Sequence, residues 1–380
     1  MQYIILSSIL AFIITFFAIP VIIQIAKTKK LFDEPDERKV HKEVIPTLGG
    51  VGIFAGFIIA ILMCVPNDLA LAADVNKLKY FAASAIVIFF LGLKDDIMDL
   101  SATKKFIGQI IAAGIIVRFG SIYLNNMHGF LGITTIPYYA SVFLTIFTII
   151  VITNSFNLID GVDGLAGSLG LVTSLVFGIY FYFAKEYTYS VMAFSLTGAT
   201  AGFLIYNYSP AKIFMGDTGS LLLGLINAVL VIKFINVAGS EGNNFSLHAS
   251  PALGYAILSV PLFDTLRVFS LRILDRRSPF SADRMHVHHY LLDLGFSHKQ
   301  IVASSILSTL VFIGVAFILR DFNTTVIVGI LLVMSSTIIG IIYYFKQKAK
   351  LPAGTKFEAA QKIRTRHTIY KFSHEPVTQD

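Results

Sequence analysis

Apolar residues fall in long runs along this chain, and the short stretches between them hold most of the charge. Taking runs bounded by charges or turn residues gives about eleven segments, approximately 3–26, 48–66, 79–93, 105–123, 138–154, 165–184, 188–206, 219–236, 251–274, 301–319 and 324–345. Each approaches the roughly 20 residues a helix needs to cross hydrocarbon, and fewer suffice where helices pack inside protein. The pattern predicts an all-α polytopic membrane protein. Segments 79–93 and 105–123 are the weakest: the first is short, and the second carries Arg118 near its end, where it can snorkel to an interface. The first run is too long for a signal-peptide core and lacks a basic leader and a small-residue cleavage site, so it is expected to be a retained anchor.

Composition agrees. With 380 residues, 55% apolar content, 14% charged residues and a mean hydropathy of +0.74, the chain has too little polar surface for a soluble globule. The single cysteine, Cys64, excludes an internal disulfide and a cysteine-built zinc site. The formal charge of +7 is read as topology, and no nucleic-acid partner is expected. Lys27, Lys29, Lys30, Arg38, Lys39 and Lys42 follow the first segment. Lys94, Lys104 and Lys105 lie between the third and fourth, and Arg272, Arg276, Arg277 and Arg284 between the ninth and tenth. The alternate loops 124–137 and 237–250 contain neither Lys nor Arg. The excess of Lys and Arg in cytoplasmic loops then places the N-terminus outside and the C-terminus in the cytoplasm. Residues 1–345 form one membrane domain. Residues 346–380 form a basic cytoplasmic tail, either a surface helix on anionic membrane lipid or disordered.

In that orientation every unusual polar cluster falls on the cytoplasmic side, so loops distant in sequence can converge on one site. In LGLKDDIMDLSATKKF, Asp95, Asp96 and Asp99 precede Lys104 and Lys105. Adjacent carboxylates bind a hard divalent cation or share a proton, although a charged stop at a helix end is the plainer alternative. In TNSFNLIDGVDGLAG, Asn157, Asp160 and Asp163 recur at three-residue spacing between apolar runs, where an acid is a functional candidate by default. Helix capping accounts for one of those carboxylates and leaves the other.

In SPAKIFMGDTGSL, Asp217 and Thr218 open a helix whose N–H groups favour phosphate, with the carboxylate placed to hold a metal. A turn with Asp217 as its cap is the alternative, and Phe214 is either a base-stacking platform or an interface aromatic. In DRRSPFSADRMHVHHYLLDLG, His286, His288 and His289 beside Asp283 and Arg284 suit zinc ligation, acid–base work or phosphate donation. The other clusters offer only carboxylates, which favour magnesium or manganese. Lys39, His41 and Thr47 in RKVHKEVIPTLGG are plausible phosphate contacts. Asp264 and Arg267 lie inside the ninth segment at the spacing of a structural ion pair.

KDDIMD, NSFNLIDGVDGLAG, IFMGDTGSLLLG and SPFSADRMHVHHYLLDLGFS, in this order, resemble the polyprenyl-phosphate N-acetylhexosamine-1-phosphate transferases, nearest to the WecA and TagO branch and more distantly to MraY. The resemblance runs from about Tyr3 to Phe345. It implies a bacterial cytoplasmic-membrane enzyme that uses Mg2+, with Mn2+ possible, to transfer a sugar-1-phosphate from a UDP-sugar to undecaprenyl phosphate, releasing UMP. By the same resemblance, Asp217 with Asp96 ligates the metal, and Asp95 and Asp96 position or deprotonate the lipid phosphate. Asn157, Asp160 and Asp163 line the nucleotide and diphosphate site, with Asn207 nearby and Phe214 on uracil. Arg276, Arg277, Asp283, Arg284, His286, His288 and His289 contact the diphosphate or sugar, and Lys39, Thr47, Asp99 and Lys105 the phosphates. A homodimer follows by analogy to the family. UDP-GlcNAc is the expected donor, with UDP-GalNAc or a 6-deoxy aminosugar as alternatives, and O-antigen, teichoic acid and other envelope glycans share such a step. The rival classes are a cation-coupled transporter, whose polar residues should be spread through the membrane depth, and a membrane prenyltransferase, which needs a second aspartate-rich motif.

Overall fold

A computed structural model describes residues 1–29, 32–33, 45–65, 72–240, 245–278 and 284–372. All eleven predicted segments fall on helices. They are α1 (Gln2–Lys29), α2 (Gly49–Cys64), α3 (Ala72–Met98), α4 (Ala102–Arg118), α5 (Tyr138–Ile159), α6 (Leu165–Phe183), α7 (Tyr187–Asn207), α8 (Gly216–Ala238), the pair α9 (Ser250–Ile257) and α10 (Ser259–Leu274), α12 (His298–Ile318) and α13 (Thr324–Phe372). Uninterrupted apolar runs favour helices because a helix satisfies its own backbone groups where water is absent. Among the described residues, seven helices are long and apolar enough to cross a membrane: α1, α5, α6, α7, α8, α12 and the Thr324–Ala349 part of α13. The protein is a multi-pass membrane protein.

Three features were not foreseen. The ninth segment is broken at Leu258, because Pro261 has no N–H to offer the carbonyl one turn back. A short helix, α11 (Val287–Asp293), follows the histidine motif. Two antiparallel strand pairs occupy connections: β1 (Phe32–Asp33) with β2 (Ile45–Pro46), and β3 (Asn126–Phe130) with β4 (Ile133–Thr135).

The core is built around α8. Most of its residues are sealed from solvent, and 83% of its apolar window is buried, against 22% for α1 and 17% for α13. Two glycines bring the neighbouring helices against its first turn. A Cβ at Gly50 would lie 2.1 Å from the Gly219 nitrogen, and one at Gly92 would lie 2.5 Å from the Thr218 Cα. Only glycine permits such backbone contact. The start of α8 is thereby packed between α2 and α3, and the carboxylates at the end of α3 reach it.

Candidate active site

The site begins with the cap of α8. No side chain of its own N-cap residue, Met215, satisfies the first turn. Asp96, in the last turn of α3, does so from outside: its carboxylate accepts the Asp217 N–H at 2.7 Å, the Thr218 N–H at 3.0 Å and the Thr218 hydroxyl at 2.5 Å. A carboxylate there meets both the orphan donors and the positive end of the helix dipole. Gly216, with φ +70°, makes the turn, and a Cβ on it would meet the Thr47 carbonyl and both Asp96 oxygens.

The cap turns Asp217 toward α4 and α5. Lys105 Nζ lies 2.8 Å from Asp217 Oδ2, and Asn157 donates to Oδ1 at 2.8 Å and to the Ser220 hydroxyl at 3.0 Å. Lys105 also pairs closely with Asp95, whose Oδ1 accepts the Leu100 N–H at 2.6 Å. One ammonium is thus shared by two carboxylates, and the ends of α3, α4, α5 and α8 are tied together.

Beside this network opens a cavity of about 450 Å³, lined by Lys105, Gln109, Asn154, Asn157, Asp160 and Gly161 and by Arg272, His286, His288 and His289. Asp160 follows the end of α5, half-buried. Burial, with the charges of Asp217, Asp96 and Asp163, holds its carboxyl well above the usual carboxylate range. His286 is buried with Nδ1 2.8 Å from Asp264 Oδ2. The His288 ring stands 5.7 Å from that of His286 and 4.3 Å from that of His289. A Cβ on Gly161 would come within 2.5 Å of His288 Nε2, so the histidine motif lies directly on the central aspartate loop. Burial, reinforced by neighbouring His289, pushes His288 down to about 3, and burial also lowers His289.

Residues 78–235 match the family described as Glycosyl transferase family 4. A Mycobacterium leprae protein named decaprenyl-phosphate N-acetylglucosaminephosphotransferase is 33% identical over 311 residues, covering 77% of each chain. A Bacillus subtilis protein named probable undecaprenyl-phosphate N-acetylglucosaminyl 1-phosphate transferase is 31% identical over 326 residues, 82% of this chain and 85% of that one. The chain belongs to glycosyl transferase family 4. An Escherichia coli (strain K12) protein named undecaprenyl-phosphate alpha-N-acetylglucosaminyl 1-phosphate transferase is 28% identical over 284 residues, covering 73% of each chain. The resemblance read from the four motifs therefore holds, and neither the transporter nor the prenyltransferase reading gains support.

In this family 4 member, the expected residues divide by position. Asp95, Lys105, Asn157 and Asp217 form the network at the start of α8, and Asp160, His286, His288 and His289 line the cavity beside it. Asp163 is buried on the far side of its loop, accepting the Ala211 N–H at 3.2 Å and lying 3.2 Å from His298 Nδ1. Asn207 is turned inward: it accepts the Gly164 N–H at 2.9 Å and donates to the Ile213 carbonyl at 2.9 Å, joining the α5–α6 and α7–α8 loops. Phe214 and Thr47 are half-buried beside the cap, where the Phe214 backbone bonds Pro46 and Gly49. Asp99, Arg276, Arg277 and Arg284 are exposed and do not line the cavity. Arg284 reaches Asp293 at 3.9 Å. Lys39 and Asp283 lie outside the described residues.

The cavity also holds side chains that the motifs did not nominate. Gln109 and Asn154 form a reciprocal amide pair at 2.8 and 3.3 Å, one turn deeper than Lys105 and Asn157. Arg272 is almost wholly buried. Their signal was a polar residue inside or at the end of an apolar run, and for Arg272 the explanation by topology alone concealed it.

The donor set suits a hard cation. Asp95, Asp160 and Asp217 offer carboxylate oxygens, and the Lys105 ammonium already lies between two of them. Among the described residues no group of three His, Cys, Asp or Glu is placed to hold a metal ion by itself. Magnesium takes one or two carboxylates and completes its shell with water and substrate phosphate.

Proposed function

We propose that this protein transfers N-acetylglucosamine-1-phosphate from UDP-GlcNAc to undecaprenyl phosphate, forming a lipid-linked diphospho-sugar and UMP on the cytoplasmic face of a bacterial cytoplasmic membrane. The observation that carries this reading is the charge imbalance at the start of α8. Among the described residues, Asp95 and Asp217 share one ammonium, Lys105, while Asp96 caps the helix, beside a cavity that Arg272 and three histidines also line. Such a site offers phosphates the Arg272 guanidinium and the imidazole groups and retains carboxylates for a metal.

Asp217, with Asp95, would hold Mg2+, which when bound neutralises phosphate charge and polarises the phosphorus–oxygen bond. Asn157 fixes one oxygen of Asp217, and Lys105 faces the phosphates. Arg272 and the histidines receive the diphosphate or the sugar. Asp96 acts through its cap of α8 and so orients Asp217. Phe106, Leu158 and Phe269 give the cavity an apolar side along which the lipid chain can leave toward hydrocarbon. The lipid phosphate oxygen attacks the sugar-linked phosphorus directly, and the bond from that phosphorus to the bridging oxygen breaks, releasing UMP. Transfer of this kind depends on positioning and charge neutralisation.

The test is UMP release by purified protein in detergent with undecaprenyl phosphate, magnesium and a panel of UDP-sugars. Lipid-dependent release with UDP-GlcNAc, lost on chelation and restored by magnesium, is expected. Release only with UDP-GalNAc or a deoxy aminosugar would change the donor. No release from any donor by folded protein would overturn the reaction, and a sugar-phosphate trapped on the protein without lipid would overturn direct attack.

A further inference from the structure

Asp264 and Arg267 have a part that their spacing alone did not disclose. Asp264 lies in α10, ten residues before its end at Leu274 and so about 15 Å inside the bundle at 1.5 Å per residue. Even so, it is bound by chain from beyond the next loop. Its Oδ2 meets His286 Nδ1 at 2.8 Å, and its Oδ1 accepts the Val287 N–H at 3.1 Å and Arg267 at 2.9 Å. The same Arg267 nitrogen donates to the Met285 carbonyl. One buried pair thus holds Met285, His286 and Val287 against α10 and seats His286 at the cavity.

A carboxylate with 5% exposure is costly, and an apolar residue would pack α10 at less expense. What the carboxylate adds is direction. As the partner of Nδ1 it keeps the proton of a neutral imidazole on that nitrogen and leaves the Nε2 lone pair for the cavity, which the ring lines.

We propose that Asp264, held by Arg267, is a positioning residue for the transfer reaction, fixing the tautomer and orientation of His286. This rests on the sugar-phosphate transfer proposed above. Asp264→Asn keeps the shape but can offer an amide N–H to Nδ1, which reverses the tautomer. The expected result is a loss of about 10- to 100-fold in kcat, a KM for UDP-GlcNAc within about threefold of wild type, and no further loss when Asp264→Asn is added to His286→Gln. Asp264→Asn with Arg267→Gln, which leaves no lone buried guanidinium, gives the same pattern if the single variant does not fold. Losses that multiply in the double variant, or that fall on KM or thermal stability in place of kcat, would overturn the proposal.

Nitrogen-15 NMR of histidine-labelled protein, with the His286 signal assigned by its absence in His286→Gln, provides a readout independent of turnover. An Nδ1-protonated ring in wild type that changes in Asp264→Asn is expected, and the same tautomer in both would overturn the proposal. The spectrum keeps the two failures distinct: absence of UMP release by wild type refutes the transfer reading, whereas an unchanged tautomer refutes the role of Asp264.

Discussion

The two ends of α8 handle charge in opposite ways. Asp217 opens the helix and Lys233 lies sixteen residues later, about 24 Å along the axis. At the far end, Lys233 meets Glu186 at 3.0 Å and stands over the Tyr189 ring at 4.6 Å. The polar pocket there, about 350 Å³, includes Asn236, which accepts the Asn125 N–H and donates to the Tyr123 carbonyl. Lys233 is thus matched with Glu186 in a pocket that Lys77 also lines, and the β3–β4 hairpin is pinned to α13 by the Leu131 N–H on the Thr325 hydroxyl. At the Asp217 end, among the described residues, two carboxylates share one ammonium, and Asp160 adds another beside the cavity. Balanced pairs hold a fold together and need nothing further. An unbalanced set at a helix start is stable only with protons, a cation or a cationic partner, and that requirement separates a site from a scaffold.

The comparison breaks most visibly at Asp217. Asp217→Asn should lower UMP release by about 10²- to 10³-fold, the usual cost of removing one electrostatic element from a reacting centre, while the protein still elutes as a folded species. Full activity with the amide would mean that the carboxylate surplus is structural. Next comes Gly161→Ala, whose added methyl meets His288 Nε2. A displacement near 1 Å between the central loop and the histidine motif predicts a loss approaching 10²-fold. Activity within about twofold would show that the central loop and the histidine motif need not keep their spacing.

A smaller effect follows from His288, whose pKa in the fold is about 3 against 6.5 as its ordinary value. Between those values the unfolded chain binds the additional proton, so this group withdraws stability as pH falls below about 6.5. Asp160 acts in the opposite sense: its raised pKa means that stability is lost as pH rises through that value. The difference between wild type and His288→Gln isolates the first term. Wild type should lose more melting temperature than the variant between about pH 7 and pH 5, and parallel curves would refute the buried neutral ring. The least effect belongs to the balanced end. Replacing Glu186 and Lys233 together with Gln and Met should change activity by less than about twofold and stability by no more than about 1 kcal/mol, as for other partly exposed pairs. A large loss of transfer would mean that the far pocket communicates with the site.

Much of this was legible in the chain itself. Runs of apolar residues identified every long helix, and acids placed between such runs marked Asp95, Asp160 and Asp217, because charge in that setting has a cost that only function or a partner offsets. What was not legible was which neighbour each polar group would find. Asp96 and Asp217 read alike as carboxylates at helix ends, yet one is committed to three donors of the α8 cap and the other faces Lys105 and Asn157. Asn207, expected near the nucleotide site, is turned inward and joins two loops, while Arg272, read as a topology marker, lines the cavity.

The sequence alone determined that this is a multi-pass helical membrane protein with its chemistry in the polar junctions, since hydropathy and the cost of charge in hydrocarbon are properties of the residues themselves. Tertiary structure decided which junctions meet and which oxygen faces which donor. Gly50 and Gly92 let helices far apart in sequence touch the start of α8, and a hydrogen bond depends on distances of a few ångström that no spacing along the chain encodes.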